Sequence, residues 1–155
     1  MTRARMTALR YPNDEIDVVT ELVNLHLRFH TYRLGWTDRA VRRYVRDAGP
    51  LLDRLNELTR CDCTTRNANK AKALGQRMDE LENRIAHLRE QEELDAIRPD
   101  LDGDQVMEQL GIGPGRDVGK ALAYLLELRL EEGPLGEAEA RRRLDAWWKE
   151  ESGGA

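Results

Sequence analysis

The sequence predicts an all-α protein of six to seven helices, with one long central helix and a glycine-rich helix-hairpin-helix near the C-terminus. Three observations lead there. Of the 155 residues 35% are charged and 5% aromatic, and Leu, Ala, Arg and Glu abound while runs of Val and Ile are few, which is a composition of helix formers. Apolar residues recur at spacings of three and four in the long segments. Glycine and proline fall between those segments, at Pro12, Gly35, Gly49-Pro50, Pro99, Gly111 to Gly115 and Gly133-Pro134, where each can stop a helix. The length is that of about one domain, and the chain reads as three stretches: residues 1–63, 64–98 and 99–152.

Met1 to Arg10 is basic and uncapped, like the end of a helix that begins elsewhere. Asn13 can cap the next helix, with Asp14 and Glu15 in its first turn, and the helix runs to about Tyr32. Ile16, Val19, Val23, Leu27 and His30 form one stripe, and Leu22, Leu25, His26 and Phe29 an adjoining one, so this is a core helix. His26 and His30, four apart, share a face and have the spacing of a metal pair. Leu27 stands where a metalloprotease needs Glu, no third ligand is evident, and core histidines are the plainer reading.

Thr37 is the expected N-cap of a helix from Asp38 to about Ala48, with Val41, Tyr44, Val45 and Ala48 on its apolar face. Arg39, Arg42, Arg43 and Arg46 fall at i, i+3, i+4 and i+7 and share the other side. Four such cations repel unless an anion faces them; an RNA backbone would serve, and so would the acidic half of this chain. Leu51, Leu52, Leu55 and Leu58 drive a short helix ending near Cys61-Asp62-Cys63. A Cys-x-Cys pair without matching His or Cys spacing reads as buried thiols and not as a zinc site. From Thr65 to Ile97 nothing breaks the pattern. Leu74, Met78, Leu81, Ile85 and Leu88 form a heptad seam on a helix of about nine turns, whose partner is another helix of the chain or a second copy in a homodimer.

Leu101 to Leu110 forms a short helix, Gly111, Gly113, Pro114 and Gly115 a hairpin, and Val118, Leu122 and Leu125 mark a second helix. The free amides and positive dipole end that open the second helix suit a phosphate, with Arg116 and Lys120 one turn apart beside it. The same letters also describe a helix C-cap followed by a tight connection. A last helix from Glu137 carries Arg141, Arg142 and Arg143, which fan around it, and Trp147 and Trp148, which anchor it to the core.

The formal charge of −4 hides an asymmetry. Residues 1–77 carry fifteen Lys/Arg and nine Asp/Glu, and residues 78–155 ten and twenty. The first half can face a polyanion. Two cysteines make no disulfide framework, no apolar run is of membrane-spanning length and no signal-peptide core is present, so a cytoplasmic protein without membrane contact is expected.

Leu9-Arg-Tyr-Pro-Asn-Asp14, Leu22 to His30, Gly35 to Gly49, Leu58 to Arg66 and Leu101 to Leu126 together resemble the class II CCA-adding tRNA nucleotidyltransferases and the related bacterial poly(A) polymerases. The resemblance implies a head with paired metal-binding carboxylates, a neck that reads the nucleotide, and a helical body and tail that hold tRNA. This chain shows no strand-rich catalytic loop and no neck; Asp100-Leu-Asp102 has the letters of a metal pair but sits in a connection before a helix. The resemblance therefore implies a carboxy-terminal piece with tRNA as partner and no catalytic residue, metal or cofactor of its own. Magnesium, CTP and ATP belong to the parent, which transfers CMP or AMP to the tRNA 3′ end. The expected RNA contacts are Arg39, Arg42, Arg43, Arg46, Gly111, Gly113, Gly115, Arg116 and Lys120, and a branched residue at position 113 is expected to strain the hairpin. The first half also resembles the closing helices of an HD-type metal domain, with Asp62 where that domain places its last aspartate. The alternatives are thus an HD-type phosphohydrolase remnant using His26, His30 and Asp62, a helix-hairpin-helix DNA-binding module on Leu110 to Gly115, and a helical scaffold dimerised through the Leu74–Leu88 seam.

Overall fold

A computed structural model describes residues 1–29, 35–62 and 67–153. The described residues are helical with no strand. A short helix α1 (Thr2–Ala8) precedes seven longer ones: α2 (Asn13–Phe29), α3 (Asp38–Ala48), α4 (Leu52–Cys61), α5 (Ala68–Gln91), α6 (Gly103–Leu110), α7 (Arg116–Glu132) and α8 (Glu137–Gly153). The chain divides into two compact units, residues 1–90 and 91–155.

In the first unit α1 and α4 pack on α2, and α3 packs on α4. Thr37 caps α3, its hydroxyl accepting from the Ala40 amide at 3.3 Å, and Gly49 ends it at φ 49°. Ala40, Val41, Tyr44, Val45 and Ala48 form its buried side, as the spacing predicts. The Tyr44 hydroxyl donates to Asn56 Oδ1 on α4 at 2.9 Å. Along α5, Met78, Leu81, Ile85 and Leu88 are 3% exposed or less and Leu74 is half-buried, so most of the heptad seam is used inside the chain. Arg84 pairs with Asp38 at 2.6 Å, and Arg60 reaches Asp79 at 2.8 Å and Glu82 at 2.7 Å, which ties α5 to α3 and α4. Phe29, Trp36 and Tyr44 form an aromatic cluster with ring centroids 5.5 Å apart, and the Arg77 guanidinium lies 5.0 Å over the Phe29 ring.

Two expectations change here. Leu27, assigned to the core stripe of α2, is 59% exposed, while Ile16, Leu25 and Phe29 are buried. The long helix spans 24 residues and stops at Gln91, short of Ile97. Beyond it the Leu94 amide turns back to the Glu92 carbonyl at 2.7 Å, and Leu94–Ala96 forms a 3₁₀ turn. The reason is tertiary: Leu94 is 2% exposed, and the Glu92 side chain, 3% exposed, meets the buried Arg129 of α7.

In the second unit Leu101, Val106, Ala121, Leu125, Ala140 and Leu144 form the core where α6, α7 and α8 meet. Full burial of one such leucine contributes about 1.5–3 kcal/mol. Trp147 packs against this core and stacks on Tyr124 with centroids 5.0 Å apart. Burial raises the Tyr124 phenol above its ordinary value, the nearby Arg143 opposing.

Candidate functional site

The two sets of expected RNA contacts lie in different units. On α3, Arg39 and Arg46 are exposed, Arg43 is half-buried and Arg42 is 6% exposed. Helical spacing puts all four on one side, but Arg42 borders Val45, itself 3% exposed, and goes into the interior with it. Arg42 is therefore not a solvent-facing phosphate contact. Asp38 of α3 pairs with Arg84, and Asp47 with Arg28.

The second set is built by a well-specified helix end. The Asp102 carboxylate accepts from the Gln105 amide, and the Gln105 side chain accepts from the Asp102 amide, both at 2.9 Å, a reciprocal cap that starts α6. Gly111 ends it in the left-handed region at φ 65°, its amide bonding to the Met107 carbonyl, and the Ile112 amide bonds to the same carbonyl at 3.2 Å. Gly115 precedes α7 in an extended conformation, and no side chain caps the helix, so its first amides point outward. Gly113 has no positive φ, and a Cβ there or at Gly115 would meet nothing within 4 Å. The expected strain of a branched residue at 113 is thus absent, and only Gly111 needs glycine for its conformation. Arg116 is exposed and makes no ion pair among the described residues. Lys120 is already engaged, 3.1 Å from Asp117 and 3.6 Å from Glu151.

Other candidates resolve as follows. His26 Nδ1 lies 2.6 Å from the Val23 carbonyl, and its Nε2 faces Asp62 Oδ2 at 3.8 Å. These two HD-type candidates meet; His30 lies outside the described residues, and among those described no group of three or more His, Cys, Asp or Glu is arranged to hold a metal. Cys61, expected to be buried, is exposed at the end of α4, and Cys63 lies outside the described residues. Arg141, Arg142 and Arg143 are taken up by carboxylates: Arg141 by Glu137 at 2.9 Å, Arg142 by Glu139 at 2.6 Å, and Arg143 by Glu139 at 2.8 Å and Glu132 at 3.0 Å. Hydrogen bonds from Arg142 and then Arg143 hold the Glu139 carboxyl down to about 2.

Among the comparisons, no family model matches the sequence, and no solved structure matches it. Two curated proteins are similar over nearly all of it. The CC-adding tRNA nucleotidyltransferase of Thermus thermophilus is 30% identical over 152 residues, which is 96% of this chain and 32% of that protein. The A-adding tRNA nucleotidyltransferase of Deinococcus radiodurans is 31% identical over 157 residues, covering 100% of this chain and 35% of that protein. The chain is similar to part of these two tRNA nucleotidyltransferases. It spans about a third of the length of the curated relatives it matches, and the family indicated by the sequence motifs is the one the comparisons find.

A tRNA nucleotidyltransferase of the kind the motifs resemble needs a seat for magnesium, and Asp100 and Asp102 do not fit one. Asp102 is spent on the α6 cap, and Asp100 Oδ2 accepts from the Leu135 amide at 3.4 Å. Neither stands in a strand. Both carboxylates serve the backbone.

Proposed function

We propose that this chain is the carboxy-terminal, tRNA-holding part of a tRNA nucleotidyltransferase, and that it contributes binding while the residues that transfer nucleotides lie outside it. One observation carries the reading: similarity to two such enzymes over nearly the whole chain, yet over only about a third of each enzyme. The exposed Arg39 and Arg46, with the half-buried Arg43, supply phosphate-neutralising charge, and the α6–α7 turn with Arg116 supplies backbone amides at a helix start. Such contacts position an RNA without reading its sequence.

The test is titration with tRNA at two salt concentrations. Each phosphate contact contributes about 0.9 to the slope of log affinity against log salt on a duplex, so Arg39→Gln with Arg46→Gln should lower the slope by about 1.8 and flatten the loss between 50 and 200 mM salt about 12-fold. Arg42→Gln should change stability more than slope. A Cβ at Gly113 meets nothing within 4 Å in the free protein, so loss of affinity in Gly113→Ala at unchanged helicity would favour an RNA backbone against the turn. An unchanged slope in the double arginine variant refutes the role of that face. Incubation with tRNA, CTP, ATP and magnesium should give no extended tRNA. The HD-type reading keeps one observation, the His26–Asp62 approach. Metal analysis of the purified chain separates it, since stoichiometric bound metal would favour that reading.

A further inference from the structure

The first turns of α5 run ahead of its buried seam. Residues 68–77 extend about 15 Å along the axis and none of them is buried; the first buried side chain is Met78. From position 63 to 78 the sequence holds Arg66, Lys70, Lys72 and Arg77 and no acid. Arg66 lies outside the described residues. Arg77 turns inward, its Nη2 donating to the Phe29 carbonyl at 3.4 Å and its guanidinium covering the Phe29 ring. Lys70 and Lys72 are exposed and make no ion pair among the described residues. The acids that flank the stretch are engaged: Asp62 faces His26 Nε2, and Asp79 pairs with Arg60. The charge on offer is that of the lysines and not of the helix start, because Asn67 Oδ1 already accepts from the Asn69 and Lys70 amides at 3.0 and 3.2 Å.

At about 100° per residue, Asn69, Ala73 and Gln76 fall on one side of these turns, and all three are exposed. Ala71, Leu74 and Gly75 are half-buried and fall on the opposite side, the one that continues into the seam. Lys70 and Lys72 stand at the two edges of the outward side. The result is a neutral strip of amide and methyl groups with a cation along each border. It ends at Glu80, the next exposed residue on that side.

We propose that this outward side is a docking surface for double-helical RNA. The strip lies against the wide, shallow minor groove, Lys70 and Lys72 reach phosphates of the two strands, and the Asn69 and Gln76 amides face the 2′-hydroxyls. The inference deepens the functional reading above, rests on it, and adds contacts outside α3 and the α6–α7 turn. The composition of the strip separates RNA from other partners. A protein interface is built on aromatic or large apolar anchors and is poor in lysine and alanine, the opposite of this surface. Unpaired RNA asks for aromatic platforms, and none stands here. The minor groove of duplex DNA is too narrow to take a helix face.

The experiment is titration with tRNA at 50 and 200 mM salt. Lys70→Gln with Lys72→Gln keeps the helix propensity of both sites, so helicity should not change. Two lost phosphate contacts should lower the slope of log affinity against log salt by about 1.8, which flattens the loss between the two salts about 12-fold. Lys70→Arg with Lys72→Arg should keep the parent slope. Arg5→Gln with Arg10→Gln removes the same charge from exposed positions around α1 and should also keep it. A second measurement needs no variant: in the parent protein, hydrogen exchange of the amides of residues 71–77 should slow when tRNA is added and should not slow with duplex DNA. An unchanged slope in the double lysine variant, an equal fall in the α1 variant, or exchange at residues 71–77 indifferent to tRNA overturns the proposal. Salt-sensitive tRNA binding by the parent together with any of these results removes the docking surface and leaves the functional reading standing. A parent that binds no tRNA removes both.

Discussion

Breaking the Arg129–Glu92 pair should unfold much of the second unit. The side chains are 7% and 3% exposed and directly bonded, so neither charge has water to fall back on. Arg129→Met keeps most of the stem volume and removes the cation, so the buried Glu92 carboxylate loses the Arg129 guanidinium. Losing one partner of a buried pair costs about 3–5 kcal/mol. A unit of residues 91–155 has a total stability of about 3–10 kcal/mol at the usual 0.05–0.15 kcal/mol per residue, so the loss is a large part of the whole. With a urea dependence of about 1 kcal/mol/M for so small a unit, the midpoint should fall by about 3–5 M. The assay is urea denaturation followed by hydrogen exchange of the α7 amides, which reports this unit apart from the first. Arg129→Met combined with Glu92→Leu removes both charges and should return to within about 1 kcal/mol of the parent, because a buried pair is often replaceable by apolar side chains. A single variant that loses less than about 1 kcal/mol, or a double variant as damaged as the single, would refute the coupling argued here.

Further outcomes follow from the same structure. Leu144→Ala, at a position 0% exposed in the core of the second unit, should cost about 2–5 kcal/mol in thermal or chemical denaturation. Gly111→Ala should cost about 1 kcal/mol because its φ is 65°, whereas Gly113→Ala, with no positive φ and nothing within 4 Å of the new methyl, should be close to neutral in the same melt. Glu139 should titrate near 2 rather than 4.5 in a carboxyl NMR experiment. Its folded value lies below its unfolded one, so the contribution of its arginine pairs is present above about 4.5 and is lost as pH falls toward about 2. Arg142→Gln with Arg143→Gln should return Glu139 to the ordinary carboxylate range, and an unshifted parent would refute the pairing.

The amino-acid sequence by itself determined the helical class, most helix boundaries and the resemblance to the tRNA nucleotidyltransferases that the comparisons also find. Those are local properties: Thr37 caps whatever follows it, Gly111 accepts a left-handed turn in any context, and the Leu74–Leu88 spacing marks a buried seam wherever its partner lies. Tertiary structure decided which charges remain at the surface. Arg42 and Arg46 are equivalent by helical spacing, yet one is buried and the other exposed, because burial depends on what packs beside Val45 and not on α3 alone. Leu27 reads as core by period, yet it is 59% exposed, because a stripe is buried only as far as a neighbour reaches. The end of α5 was equally invisible, since nothing in residues 91–97 forbids helix. Glu92 leaves it to meet Arg129, 37 positions away, a buried cation beside its buried carboxylate.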